Sequence, residues 1–173
     1  MIENSHADGA GTDLASAVPA DLDAVVAVHA EARATYYRGH LPDAAYAGPE
    51  ELARSRAGWA SAIGAGRVLR ARDADGTLVG VAAYGEREGV MNLTQLHVAP
   101  SRWRGGVGTA LHAACVAAWR AAGVPAARLE VFAPNTRAQA FYAAHGWRPD
   151  PETPRAGDHL VLRLTLAPEA AAE

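Results

Sequence analysis

The hydrophobic period of this chain switches from helical to alternating at residue 68 and back at 106, and that change restricts its fold more than any other feature. From residue 19 to about residue 63 apolar positions recur at helical spacing, with Leu22, Val25, Val26 and His29 near one face. From residue 68 the period becomes two. Residues 68–71 and 78–84 flank an Asp75-Gly76 turn, and 90–98 follows a polar turn at 86–89. Strands joined by such short turns must pair antiparallel, because parallel partners need long crossovers. Helical spacing returns over 106–122, which ends at Gly123 and Pro125.

The remaining segments complete the order. A strand is expected at 14–18, a helix begins at Pro19 and Asp21, and a second helix runs from Pro49 to about residue 63, stopped by Gly64 and Gly66. Tyr36 to Tyr46, interrupted by Gly39 and Pro42, reads as a loop. A strand at 128–132, a short helix at 135–145 closed by Gly146, and a strand at 159–166 follow. The expected fold is mixed α/β, one domain over 13–166 with disordered tails at 1–12 and 167–173.

Composition narrows the function. Half of the 173 residues are apolar and a fifth are charged, which suits a globular core. Sixteen basic against nineteen acidic residues leave a net charge of −3 with no basic stripe, so no nucleic-acid partner is expected. The apolar stretch at 110–118 is too short to span a bilayer and is broken by His112. Residues 1–12 lack the apolar run of a signal peptide, and the expected location is the cytoplasm, away from membranes. Cys115 is the only cysteine, which excludes an internal disulfide and a metal–thiolate cluster; no metal site is expected. Among Ala113, Ala114, Val116 and Ala117 it reads as a small buried hydrophobe.

Residues 100–108 (PSRWRGGVG) join a strand to a helix and carry three glycines. Glycine lets backbone approach a polyphosphate, and the first amides of a helix have no internal partners and sit at its positive end. Arg102 and Arg104 add mobile positive charge. The Walker pattern fails, since no Gly-Lys-Ser/Thr follows. A dinucleotide fingerprint also fits poorly: Leu111 stands at the third glycine position, and the loop follows an antiparallel meander.

Three segments, LTQLHVAPSRWRGGVGTAL at 93–111, the strand at 128–131 and NTRAQAFYAAHGW at 135–147, resemble the GNAT superfamily of N-acetyltransferases. The resemblance implies a central, mostly antiparallel twisted sheet with a splay between its fourth and fifth strands, flanked by helices on both faces. It implies acetyl-CoA as cosubstrate and an amine of a small molecule or protein as acceptor. Leu96 and Val98, on either side of His97, would offer backbone groups to the pantetheine arm. Backbone amides of Arg104, Gly105, Gly106, Val107, Gly108 and Thr109 would hold the pyrophosphate. Asn135 would bond the pantetheine, Ala138 and Phe141 would pack beside it, and Tyr142 would sit near the sulfur as general acid. Members are often dimers, so a homodimer is expected by analogy.

Two positions depart from the family pattern. Trp103 replaces the usual Gln or Arg, and Asn92 stands where many members place a catalytic glutamate. Asn92 accepts no proton, which leaves the base open among a water held by Asn92, His97 and Glu130. It also leaves open a non-catalytic acyl-CoA-binding module. His40 and Asp43 either line an acceptor pocket or belong to a plain surface loop. Tyr36, Tyr37, Tyr46, Asp43 and Asp158 would suit a cationic amine.

Overall fold

The structure, a computed structural model, describes residues 11–166. Most of the two expected tails, 1–10 and 167–173, therefore lies outside the described residues. The strands are β1 (Asp13–Ser16), β2 (Val68–Arg72), β3 (Leu78–Arg87), β4 (Val90–Val98), β5 (Ala126–Phe132), β6 (Arg148–Pro149), β7 (Arg155–Ala156) and β8 (His159–Thr165). The helices are α1 (Leu22–Tyr37), α2 (Asp43–Ala47), α3 (Pro49–Gly64), α4 (Val107–Ala121) and α5 (Thr136–Ala144). The sheet runs β1-β2-β3-β4-β5-β8-β6, with β7 on β8. It is the mixed α/β, mostly antiparallel sheet expected, with β4 and β5 as a parallel pair.

The splay is visible in that pair. Its register is Met91↔Ala127 and Asn92↔Arg128, whereas β5 registers with β8 along its full length, from Ala126↔Thr165 to Phe132↔His159. The β4–β5 ladder therefore ends early while both strands continue.

The chain forms two compact units. In the first, the described residues up to Ala82 with Leu96–Ala113, Val25, Val28 and Ala32 of α1 are buried, as are Trp59 and Ile63 of α3 and Val68 and Ala71 of β2. In the second, Ala83–Gln95 with the described residues from Ala114 onward, the centre is aromatic. Trp119 stands edge-on to Trp147 at 6.4 Å and to Tyr84 at 5.6 Å, over the fully buried Cys115. Each large side chain so buried contributes roughly 1.5–3 kcal/mol.

One expectation needs correcting. The stretch from Tyr36 to Tyr46 is not all loop: α1 continues through Tyr37, and Asp43–Ala47 forms a helical turn whose Tyr46 is buried. The break is confined to 38–42, where Gly39 takes a φ of +83° and Tyr37 carbonyl oxygen accepts the amides of His40 and Leu41. The two-residue strands β6 and β7 are too short to give a periodic signal.

Gly80 of β3 sets the distance to the start of α4. A Cβ there would lie 2.8 Å from Val107 Cγ1 and 2.9 Å from Leu111 Cδ1. Gly80→Ala is expected to destabilise the protein by roughly 1–3 kcal/mol, through overpacking against the stiff Val107 side chain. A urea-unfolding midpoint unchanged from wild type would contradict that close approach.

Candidate functional site

The glycine-rich loop belongs to the first unit. Its entry is fixed by the Ala99 amide, which donates to Val79 carbonyl oxygen at 2.9 Å, and by the Trp103 indole, which donates to Val98 carbonyl oxygen at 3.0 Å. The tryptophan thus pins the loop to the end of β4, a role the sequence did not suggest. The loop then turns tightly. Arg104 has a φ of +63° and Gly106 of +86°, and a Cβ on Gly105 would lie 3.2 Å from Arg102 carbonyl oxygen. A non-glycine residue in the left-handed region is uncommon and strained, and such strain clusters at binding sites.

Val107 anchors the helix start in the core, while Arg104, Gly105, Gly106 and Thr109 are exposed. The first helical bond recorded runs from the Ala110 amide to Gly106 carbonyl oxygen. The amides of Val107 and Gly108 precede it and have no acceptor within the helix, and no acidic residue occupies the first turn. This is the arrangement an oxyanion needs. Of the two arginines, only Arg104 keeps the mobile charge expected. Arg102 donates to Asp73 in an ion pair.

His97 lies on the buried face of β4, and Leu96 and Val98 are half-buried on the other, as alternation requires. Its ring stands 4.5 Å from that of His29, which accepts the Trp59 indole N–H at 2.9 Å and lies 3.1 Å from Ser55 Oγ. Burial lowers the pKa of His29 to about 4, helped by the Arg33 guanidinium, and burial followed by His29 and Arg33 holds His97 well below the usual range. Arg33 pairs with Glu51 at 3.2 Å. Both imidazoles are therefore neutral at pH 7, and His97 is a weak proton acceptor. The i,i+4 placement of His29 and Arg33 on α1 was the available signal for this cluster.

Asn135, Tyr142, Asn92 and Glu130 lie in the second unit, whereas His97 belongs to the first. Asn135 caps α5, with Oδ1 accepting the Ala138 amide at 3.2 Å. That occupies one end of its amide and leaves Nδ2 as the donor for a ligand. Phe141 stacks on His145 at 4.1 Å, and its carbonyl oxygen accepts from His145 Nδ1 at 2.7 Å, so the half-buried histidine is structural.

Tyr142 is 9% exposed and packs edge-on to Trp147 at 6.0 Å. Burial, and then the Cys115 thiol, push its pKa above the usual tyrosine value, so it holds its proton at neutral pH. Burial pushes Cys115 up to about 12, which makes it an inert thiol. Asn92 donates from Nδ2 to Val90 carbonyl oxygen at 3.0 Å, and Glu130 is an exposed carboxylate on β5.

Two of the carboxylates named for the acceptor have partners within the protein. Asp43 accepts the Tyr46 hydroxyl at 2.8 Å, and Asp158 pairs with His159 at 2.7 Å. Each carboxylate thus has one oxygen engaged within the protein. Among the described residues no cluster of His, Cys, Asp or Glu is arranged to hold a metal, and no helix is long and apolar enough to cross a membrane.

A family model described as acetyltransferase (GNAT) family matches residues 27–147. No curated protein sequence matches the chain. Solved structures do. One is the PaiA N-acetyltransferase of Thermoplasma acidophilum in complex with coenzyme A, at 18% identity and a TM-score of 0.79, covering 90% of this chain and 99% of that one. Another is the ribosomal-protein-S18-alanine N-acetyltransferase of Escherichia coli, at 20% identity and a TM-score of 0.67, covering 90% and 94%. A GNAT-family acetyltransferase of Bacillus cereus gives 16% identity and a TM-score of 0.66, covering 90% and 98%. At these identities the likeness concerns the fold.

The buried histidines make stability depend on pH. His29 has a folded pKa below its unfolded value of 6.5, so its contribution is complete above pH 6.5 and is lost as pH falls toward 4. The loss is about 3 kcal/mol, with His97 acting in the same direction. Thermal unfolding between pH 8 and pH 4 should show this decline, and His29→Gln should flatten it. An equally steep decline in the variant would contradict the assignment.

Proposed function

The chain belongs to the acetyltransferase (GNAT) family, and we propose that it transfers the acetyl group of acetyl-CoA to a primary amine of a small molecule or protein in the cytoplasm. The observation that carries this reading is the exposed turn at Arg104–Gly108, with two left-handed residues before the open amides of α4. On this reading those amides hold the pyrophosphate, and Asn135 Nδ2 donates to the pantetheine.

The acceptor nitrogen attacks the thioester carbonyl, the C–S bond breaks, and the thiolate and the ammonium proton must both be dealt with. A free alkylamine with a pKa of about 10.4 is neutral in roughly one molecule in 2,500 at pH 7, a penalty of about 4.6 kcal/mol. A base therefore matters more than an acid. Glu130 is the exposed carboxylate on β5, on the strand face shared with Arg128, and it takes this proton directly or through water. Asn92 holds no proton-accepting group and His97 is too weak a base.

Tyr142 donates a hydrogen bond to the departing thiolate. Its raised pKa exceeds the usual thiol value of about 8.5, so full transfer is uphill and its contribution is a moderate one. A backbone amide at Leu96 or Val98 stabilises the oxyanion.

The substitution at Asn92 supports a second reading, an acyl-CoA-binding module without turnover. Thiol release from acetyl-CoA with a panel of amines separates the two. Amine-dependent release is expected, with Tyr142→Phe and Glu130→Gln each lowering kcat by about ten-fold or more while acetyl-CoA affinity holds. Gly106→Val should weaken CoA binding, since a β-branched residue cannot adopt its φ of +86° without strain. CoA binding without stimulated release by any amine would favour the second reading.

A further inference from the structure

A row of arginines crosses the sheet of the second unit. Arg128 of β5 registers directly with Arg163 of β8, which registers in turn with Arg148 of β6. Residues so paired project from one face of the sheet with Cβ atoms roughly 5 Å apart, and like charges there destabilise it. Arg148 is committed, donating to Ala143 and Trp147 carbonyl oxygens. Arg128 and Arg163 are not. Neither guanidinium makes a hydrogen bond or ion pair with a described residue, and Arg128 Nε is wholly buried without an acceptor.

Both arginines line a cleft of about 410 Å³, a volume within the range of small-molecule sites. Val90, Met91, Val124 and Pro125 supply an apolar wall. Three carboxylates also border it: Glu86, Glu152 and Asp150. The first two are exposed. Asp150 is occupied by its own loop, its Oδ1 accepting the amides of Glu152 at 2.9 Å and Thr153 at 2.8 Å. It feels both arginines electrostatically but forms no ion pair with either.

A fold that buries the Nε of one guanidinium and sets a second beside it, with Asp150 near both but ion-paired to neither, accepts costs that one oxyanion would offset. Bidentate, charge-assisted bonds from the planar forks would satisfy Nε and neutralise the repulsion. We propose that the cleft between Arg128 and Arg163 binds a small organic anion, through a carboxylate or phosphate held by both guanidiniums and an apolar body against Val90, Met91, Val124 and Pro125. None of these residues belongs to the glycine-rich loop or to α5, so the site is additional to the one proposed for acetyl-CoA.

The full-length protein, labelled with nitrogen-15, would be titrated with phenyl phosphate, phenylacetate and, as a cationic control, phenethylamine. Saturable shifts are expected at Arg128 and Arg163 Nε–H and at the amides of Val124, Ala126 and Thr153. Shifts at 104–109 would report the glycine-rich loop separately. The tighter of the two anions identifies the headgroup. Arg163→Gln should weaken binding by roughly ten-fold or more while leaving thermal stability equal or higher, because it relieves a like-charge pair. Absence of shifts at these positions up to roughly 20 mM anion, shifts of equal size with the amine, or undiminished binding by Arg163→Gln would overturn the proposal.

Discussion

The presentation of the glycine-rich loop depends on the close approach of β3 to the start of α4. Gly80 lets Val107 and Leu111 reach the strand, and those two contacts fix where the first helical turn begins. With Val107 held in the core, the residues before it have no freedom to continue as helix or strand. They close the gap through Arg104 and Gly106 in the left-handed region, and the Trp103 indole secures the upstream side. The strain at Arg104 persists because packing on both sides determines the path. Open amides at the surface follow from close packing beneath them.

Burial also sets protonation states. His29 and His97 are held neutral because their charged forms would be desolvated next to Arg33. Cys115 and Tyr142 are held protonated for the same reason acting on anions. One low-dielectric effect thus disfavours every charged form, removing two candidates from nucleophilic or basic chemistry and leaving Tyr142 as a hydrogen-bond donor. Arg128 and Arg163 differ from Arg72, paired with Asp21, and Arg33, paired with Glu51, in having no direct ion-pair partner among the described residues.

Much of the architecture was legible because it is written in periodicity and punctuation. The change from helical to alternating spacing at residue 68 and back at 106 located β2, β3, β4 and α4 to within a few residues, since short turns leave adjacent strands only one way to pair. Gly-rich spacing between β4 and α4 located the loop. The helical character of Tyr36–Tyr37 and Asp43–Ala47 was hidden by Gly39 and Pro42, whose effect is confined to a few residues between them.

The sequence by itself determined which residue types stand at the loop, the asparagine cap and Tyr142, because those depend on local spacing. Only the tertiary structure decided what each side chain is free to do. Arg102 lost its mobile charge to Asp73; Asp43 and Asp158 each engage one oxygen with Tyr46 and His159, and Asn135 kept one end of its amide after capping α5. The partner of Arg102 lies 29 residues away and the Arg128–Arg163 register spans 35, and no local pattern encodes either. The arginine row exists only because β8 returns antiparallel beside β5 in that one register; a slip of one residue would have placed Arg163 on the opposite face.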